Sequence, residues 1–416
     1  MPQGSQRRMI VRARVVVTMD GPPIKNGAVV ISGNRIVDIG TFPEISGRHS
    51  GQELVDLGEQ ALLPGLINAH CHLDYTCLRG KISPQKSFTD WIRAINTEKA
   101  KLSEQDYLAS IAEGFAEAKR FGTTTVANLT AFPELIPGVN PPIRTWWFAE
   151  LIDVRNPSRT GEVVDLAIYA MKRARDSGGG IGFAPHALFT ASANLYRRCK
   201  EVAQHENILV TTHLAEAREE MSMFHDASGP LYEFLKSVGR DMSDCGHETP
   251  FAWFTRIIGA PAGRALPAEW IVAHLNELAE SDFELLEGPT RKFHVVHSPR
   301  SHGYFTHSRF HFERLRSFGF NICLGTDSLA SNEDLSLFAE LRAFRRSEPA
   351  LSSKEILEMV TVNAARALGK PQALGRIRAN YFADLIAIPC NGAADAFEEI
   401  LAFDRPVDWV MVAGKT

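Results

Sequence analysis

The chain has 416 residues, 44% of them hydrophobic, with a formal net charge of -4 spread over interspersed acids and bases. That composition supplies a large core, and without a basic block it argues against a nucleic-acid or membrane surface and for a small-molecule partner. The opening arginines lead into no signal-type apolar core, no run approaches the roughly 20 residues of a membrane span, and six scattered cysteines without a Cys-x-x-Cys pair give no disulfide framework, so a cytoplasmic location is expected.

Up to Leu57, short β-type runs at 10–18, 27–31 and 35–39 are separated by Gly-Pro-Pro and Gly-Asn turn signals and predict a small sheet. The next run, Ala-Leu-Leu-Pro-Gly-Leu-Ile-Asn-Ala-His70-Cys-His72, closes on two histidines at i, i+2. Side chains alternate along a strand, so these two imidazoles face one side and can share a metal ion, while Cys71 points away as a core thiol. Apolar β-type segments then recur at 123–128, 145–151, 181–186, 208–213, 270–274, 293–297 and 321–327. Helical stretches lie between them; 104–120 places Tyr107, Ile111, Phe115 and Ala118 at helical spacing.

Counting 66–72, eight near-continuous apolar strands alternate with helices, the pattern of an α/β chain that closes into a (β/α)8 TIM-type barrel. Chemistry in such barrels sits at the C-terminal strand ends, and His72, His213, His274 and Asp327 fall at those ends. The long gap between His213 and His274 holds Pro230, Gly239, Gly246 and Pro261 and reads as an insertion that roofs the site. Beyond Arg366, β-runs return at 383–388 and 409–412. They can pair with the first strands, giving an accessory β-sheet domain built from 1–58 and 366–416 and a barrel spanning 59–365.

A catalytic divalent ion needs neutral imidazoles and a carboxylate, with one position left for water. His70, His72, His213 and Asp327 meet that count. Glu216, His274 and Asp327 itself are the candidate proton carriers. When an amine leaves a heteroaromatic carbon, the ring nitrogen must gain one proton and the departing nitrogen another.

These pieces, with His213-Leu-Ala-Glu216, Ala-His274, Leu-Gly-Thr-Asp327-Ser and the following Ala-Ser-Asn-Glu-Asp-Leu, resemble the amidohydrolase superfamily over nearly the whole chain. Within it they look like the cytosine deaminase and chlorohydrolase-like branch. The resemblance implies one divalent ion, zinc first and iron or manganese next, on His70, His72, His213 and Asp327. It also implies that Glu216 protonates the ring nitrogen, that His274 orients or deprotonates the metal-bound water that attacks, and that Asp327 relays a proton to the leaving group. Two-metal members carry a modified lysine at the end of the fourth strand, where this chain has Ile-Gly-Phe-Ala-Pro-His186, so one metal is expected and His186 should face substrate.

Leu78-Arg-Gly, Ser87-Phe-Thr-Asp-Trp91 and Glu98 are similar to the region that holds ribose in deaminases of S-adenosylhomocysteine and methylthioadenosine. A carboxylate at Glu98 could accept both vicinal hydroxyls, with Trp91 beside it. Arg155 and Arg159 roughly match an arginine that contacts the sugar or its 5' substituent. The seventh-strand loop, His297-Ser-Pro-Arg300-Ser-His302-Gly-Tyr304-Phe305, departs from the branch pattern His-Asn-Pro-x-Ser-Asn. This variant resembles aminodeoxyfutalosine deaminases of an alternative menaquinone pathway, whose substrate joins an adenine nucleoside to a benzoate. Arg300 and His302 would then add polar reach, Arg300 toward the carboxylate.

Two other readings stand beside this one. The same centre could act on guanine, cytosine, a pterin or a triazine, which would leave Glu98 without a ribose. A barrel that had lost catalysis could serve as an interaction protein, but such relatives lack ligands or the acid, and here all are present. His294, His307 and His311 lack strand-end placement and read as ordinary; Trp146, Trp147 and Trp253 read as packing residues. The oligomeric state, including a homo-oligomer, is left open.

Overall fold

The computed structural model describes residues 8–259, 269–288, 292–392 and 395–416. Among them, parallel strands follow one another as Leu66–His72, Thr123–Thr130, Arg144–Leu151, Gly180–Pro185, Leu209–Leu214, Trp270–His274, His294–His297 and Asn321–Leu324. The last resumes after two residues as Asp327–Ser328, and this piece pairs back onto the first strand, Asp327 opposite Cys71 and Ser328 opposite His72. The sheet is therefore closed into the expected barrel. Strands such as Thr123–Thr130 and Arg144–Leu151 are buried at every position, because one face looks into the cylinder and the other meets helices. Ile67, Ala127, Trp146, Ala184, Ile271, Val296 and Cys323, with Leu209 packed against them, draw on every strand and fill the cylinder as a core rather than a pore.

The seam has a specific requirement. Gly325 donates its N–H to the carbonyl of His297, and Thr326 donates to that of His70. A Cβ at Gly325 would lie 2.6 Å from the His70 carbonyl oxygen, so only glycine lets the eighth strand cross this close to the first. The first strand is itself irregular, its register against the second shifting between Asn68 and Cys71. Such a bulge re-aims side chains next to a site.

The helix Glu104–Arg120 forms where its spacing predicted, buries Tyr107, Ile111, Phe115 and Ala118, and is capped by Ser103, which exchanges hydrogen bonds with Asp106. Between the fifth and sixth strands lie helices Arg218–Asp226, Pro230–Ser237 and Pro250–Ile257; Pro261 of that segment lies outside the described residues. Arg93, on helix Phe88–Lys99, lies over the ring of Phe234 of this insertion, 4.9 Å from its centroid. Among the described residues no helix is long and apolar enough to cross a membrane.

A second sheet has the order Trp409–Met411, Leu385–Pro389, Gln60–Pro64, Arg8–Val16, Ile24–Ser32, Arg35–Thr41, with Glu53–Asp56 also paired to Arg8–Val16. Both ends of the chain thus share one sheet, as the β-runs implied. Its junction with the barrel is a buried ion pair: Arg144, opening the third barrel strand, donates from Nε to Asp384 Oδ2 at 2.9 Å. Arg144 also donates to the Gly178 carbonyl, and Asp384 accepts from the Ala413 N–H.

Candidate active site

At the C-terminal mouth of the barrel, His70 Nε2 and His72 Nε2 each lie 3.7 Å from Asp327 Oδ1, and His72 Nε2 lies 3.3 Å from His213 Nε2. All four residues are buried. His213 has its Nδ1 on the carbonyl of His186 at 2.8 Å, which leaves Nε2 facing its neighbours. Both ring nitrogens of His70 and Nδ1 of His72 are buried without hydrogen-bond partners among the described residues. Unpaired lone pairs converging in a dry site are costly, and a cation among them removes the cost. His70, His72 and His213 form one group able to hold a metal ion, and Glu216, His274 and Asp327 form another beside it.

Electrostatics agree with that geometry. Burial, and then the neighbouring rings of His70 and His213, holds His72 well below the usual imidazole range; burial and His70 push His213 down to about 4. Metal ligands must be neutral imidazoles, and both shifts favour that form. Burial works to raise Asp327, but the imidazoles of His70, His274 and His72 beside it outweigh that and keep the carboxylate low. Ser301 Oγ donates to Asp327 Oδ2 at 2.7 Å and Ser328 N donates to Oδ1 at 2.8 Å, fixing its orientation.

Glu216 follows the fifth strand through Ala215, whose φ is 51°, and its N–H donates to Glu220 Oε2. Its Oε2 stands 3.8 Å from His274 Nε2 and its Oε1 3.9 Å from His307 Nε2. Burial, then the charges of Asp327 and Glu220, raises Glu216 well above the ordinary carboxyl range, which favours its protonated form. His274, Leu275 and Asp327 have φ of 77°, 52° and 59°. Such left-handed turns are disfavoured for side-chain-bearing residues; these are held by bonds including Leu275 N to Leu214 O and Asn276 N to Ala215 O.

His186 also reaches the centre: its ring lies 4.8 Å from that of His213, and its Nδ1 is 2.6 Å from Thr190 Oγ1. Trp91 is edge-on to Phe305 at 4.9 Å and stacks on Phe88 at 5.9 Å. With His307, Tyr304 and Arg218 these rings line a cavity of about 320 Å³ at the mouth. His302 sits at the edge, Nδ1 on Asn276 Oδ1 at 3.1 Å and its ring 5.6 Å from His307.

The remaining expected substrate contacts have other partners or are exposed. Glu98, near the end of helix Phe88–Lys99, pairs with Lys101 at 2.6 Å, the local partner that helical spacing offers. Arg159 is exposed and forms a two-pronged pair with Glu162; Arg155 is exposed. Arg300 is engaged by Asp334 at 2.6 Å and Glu333 at 2.9 Å, so its guanidinium does not extend the mouth. Conversely, His307, read as ordinary, meets Glu216, while Ser301 and Glu150 were not anticipated. Glu150 could have been found: it is an acid next to the end of the third strand. His307 could not, because it belongs to a loop whose path depends on tertiary packing.

A closed parallel barrel with histidines, carboxylates and a buried acid at its C-terminal mouth defines a hydrolase of the metal-centred kind. The model of the amidohydrolase family matches residues 61–416, and the chain belongs to that family. It is 28% identical over 406 residues to a 5-methylthioadenosine/S-adenosylhomocysteine deaminase of Saccharophagus degradans, covering 93% of this chain and 84% of the relative. An adenosine deaminase of Xanthomonas campestris solved with bound zinc superposes with a TM-score of 0.81 at 24% identity, covering 98% of this chain and 92% of the other. Aminofutalosine deaminase of Helicobacter pylori, solved with methylthio-coformycin, gives a TM-score of 0.84 at 19% identity, covering 98% and 99%. At these identities the two structures speak to the fold.

Proposed function

We propose that the protein is a metal-dependent hydrolytic deaminase of an adenine nucleoside, replacing the ring amino group with oxygen and releasing ammonia. The observation that carries this reading is the placement of Glu216: a buried carboxyl 3.8 Å from His274, grouped with His274 and Asp327 beside the three histidines, where a proton could be handed to a ring nitrogen. Hydrolysis of an ester or amide needs no acid for a ring nitrogen, whereas deamination does. The named relative and the fold neighbours point the same way.

His70, His72, His213 and Asp327 would hold one divalent ion, and the ion supplies an acidified water and charge stabilisation. Zinc is the first choice given the zinc-bound fold neighbour, and iron or manganese would suit the same donors. Glu216 passes its proton to the ring nitrogen adjacent to the amino-bearing carbon. His274, uncharged, orients the attacking water and accepts its hydrogen bond. Asp327, held as a carboxylate, takes one proton of the attacking water and returns it to the departing amine, and the second proton of that water restores Glu216 as the carbon–nitrogen bond breaks and the carbonyl forms. Trp91, Phe88 and Phe305 give flat apolar walls against which a purine could lie.

Within the adenine nucleosides, aminodeoxyfutalosine is our preferred substrate on the strength of the segment from His297 to Phe305, expected as a loop and formed as the helix Pro299–Phe305, ahead of methylthioadenosine and S-adenosylhomocysteine. The segment acts in this reading through His302 and Tyr304, since Arg300 is already paired. Incubating the metal-loaded protein with these nucleosides and with free adenine, guanine and cytosine, while following purine absorbance and ammonia, tests it. Turnover of nucleosides over bases is expected; unchanged spectra across the nucleoside panel would reject the proposal.

A further inference from the structure

Glu150 lies next to the end of the third barrel strand with its side chain turned into the site. Its Oε1 is 3.8 Å from His72 Nδ1 and 3.9 Å from His186 Nε2. Oε1 and His72 Nδ1 are both buried without a hydrogen-bond partner among the described residues. His72 Nε2 faces His213 and Asp327, so a metal taken by His72 is taken through Nε2. An imidazole bound that way carries its proton on Nδ1 and needs an acceptor there, or it pays for an unsatisfied buried donor. The acceptor facing it is Glu150.

We infer that Glu150 is a positioning residue: its carboxylate accepts the Nδ1–H of His72, fixing that ring's tautomer and aiming Nε2 at the metal, and holds the rim histidine His186 by the same oxygen. This rests on the metal-dependent reading above. His186 fits the second half of the role by position: its Nε2 faces the same oxygen at 3.9 Å, while its Nδ1 lies 2.6 Å from Thr190 Oγ1, whose hydroxyl donates to the Ala187 carbonyl. Burial pushes the Glu150 carboxyl up to about 7, and the positive charge of Lys99 works against that rise.

Glu150, His186 and His213 also lie close enough together to suggest a second metal site. Ring chemistry argues against it: His213 Nδ1 is occupied by the His186 carbonyl, and its Nε2 already faces His72, so a second ion would have two protein donors.

The test is metal binding by the full-length protein, read without substrate. Apoprotein of the wild type, Glu150→Gln and Glu150→Asp is titrated with Zn2+ against a competing chelator and with Co2+ by its visible spectrum, with circular dichroism as the folding control. Losing a partner of this type costs about 10- to 100-fold in affinity. Glu150→Gln is expected to lose that factor and to alter the Co2+ bands, Glu150→Asp to recover part of both, and His186→Asn to leave affinity near wild type. Folded Glu150→Gln with wild-type affinity and spectrum overturns the inference while leaving the proposed activity intact. Two ions in the wild type and one in Glu150→Gln overturns it in favour of a second metal site. A wild type that binds neither ion overturns both this inference and the proposed function.

Discussion

The Glu216 carboxyl is raised because it is buried and because Asp327 and Glu220 contribute negative charge, and both effects favour its protonated form. Removing only its acidity by Glu216→Gln should lower kcat by about 10²- to 10⁴-fold, the usual contribution of a positioned acid, with metal content unchanged. Equal loss of metal and activity would place Glu216 among the ligands instead. The histidines set the acid limit. A free imidazole charges near pH 6.5, but His213 is pushed down to about 4 by burial and then by His70, so it stays neutral on acidification through that interval. In the same window the unfolded chain takes up its proton, so stability contributed by the neutral ring falls as pH drops from about 6.5 toward 4. Dialysis at stepped pH followed by metal analysis should show the ion retained at pH 6 and lost on approach to pH 4; loss already at pH 6.5 would contradict the assigned environment. At this scale the sequence was most legible for residues anchored to strand ends. His70, His72, His213, Glu216, His274 and Asp327 meet because strand register dictates it, whereas Glu98 and Arg300 were placed by motif likeness and found nearer acids and bases of opposite sign.

Among the elements, the two sheets share an apolar cluster and one buried ion pair. Arg144 and Asp384 are both almost wholly buried and joined by two hydrogen bonds. Asp384→Ala leaves a buried guanidinium without its counterion and should cost about 3–5 kcal/mol, readable as a shift of the urea midpoint. Replacing both, Arg144→Met with Asp384→Leu, should recover most of that loss, since apolar isosteres often match a buried ion pair. A single-variant cost below about 1 kcal/mol, the range of surface pairs, would show that the pair is more hydrated than its burial implies. The strands and the helix Glu104–Arg120 were readable from apolar runs and spacing, because those patterns are local. The Arg144–Asp384 junction was not: it unites residues 240 positions apart, and nothing near either one marks the other.

For the whole molecule, barrel closure comes from backbone pairing and a filled interior, not from a metal. Chelation should therefore leave the protein folded at 25 °C but lower its Tm, since a ligand at 100 times its Kd contributes about 2.7 kcal/mol to the folded state. Calorimetry before and after chelation checks this, and unfolding at 25 °C on metal removal would show that the ion is structural. The barrel class could be inferred from eight recurring runs because a parallel sheet covered on both faces leaves that trace in any sequence. The pocket walls could not, because Phe88 and Trp91, one turn apart on the helix Phe88–Lys99, meet Phe305 from the helix that follows the seventh strand.

The strand that finishes the cylinder also carries Asp327, with Gly325 as the crossing point beside His70. A nascent polypeptide halted before this seam has all three imidazoles yet no carboxylate to complete the set, and its first strand still has a bare edge. Loading with the ion should thus be a late event in biogenesis, following the seam's formation; stalled ribosome complexes truncated ahead of Gly325 that already retained zinc would show the reverse order.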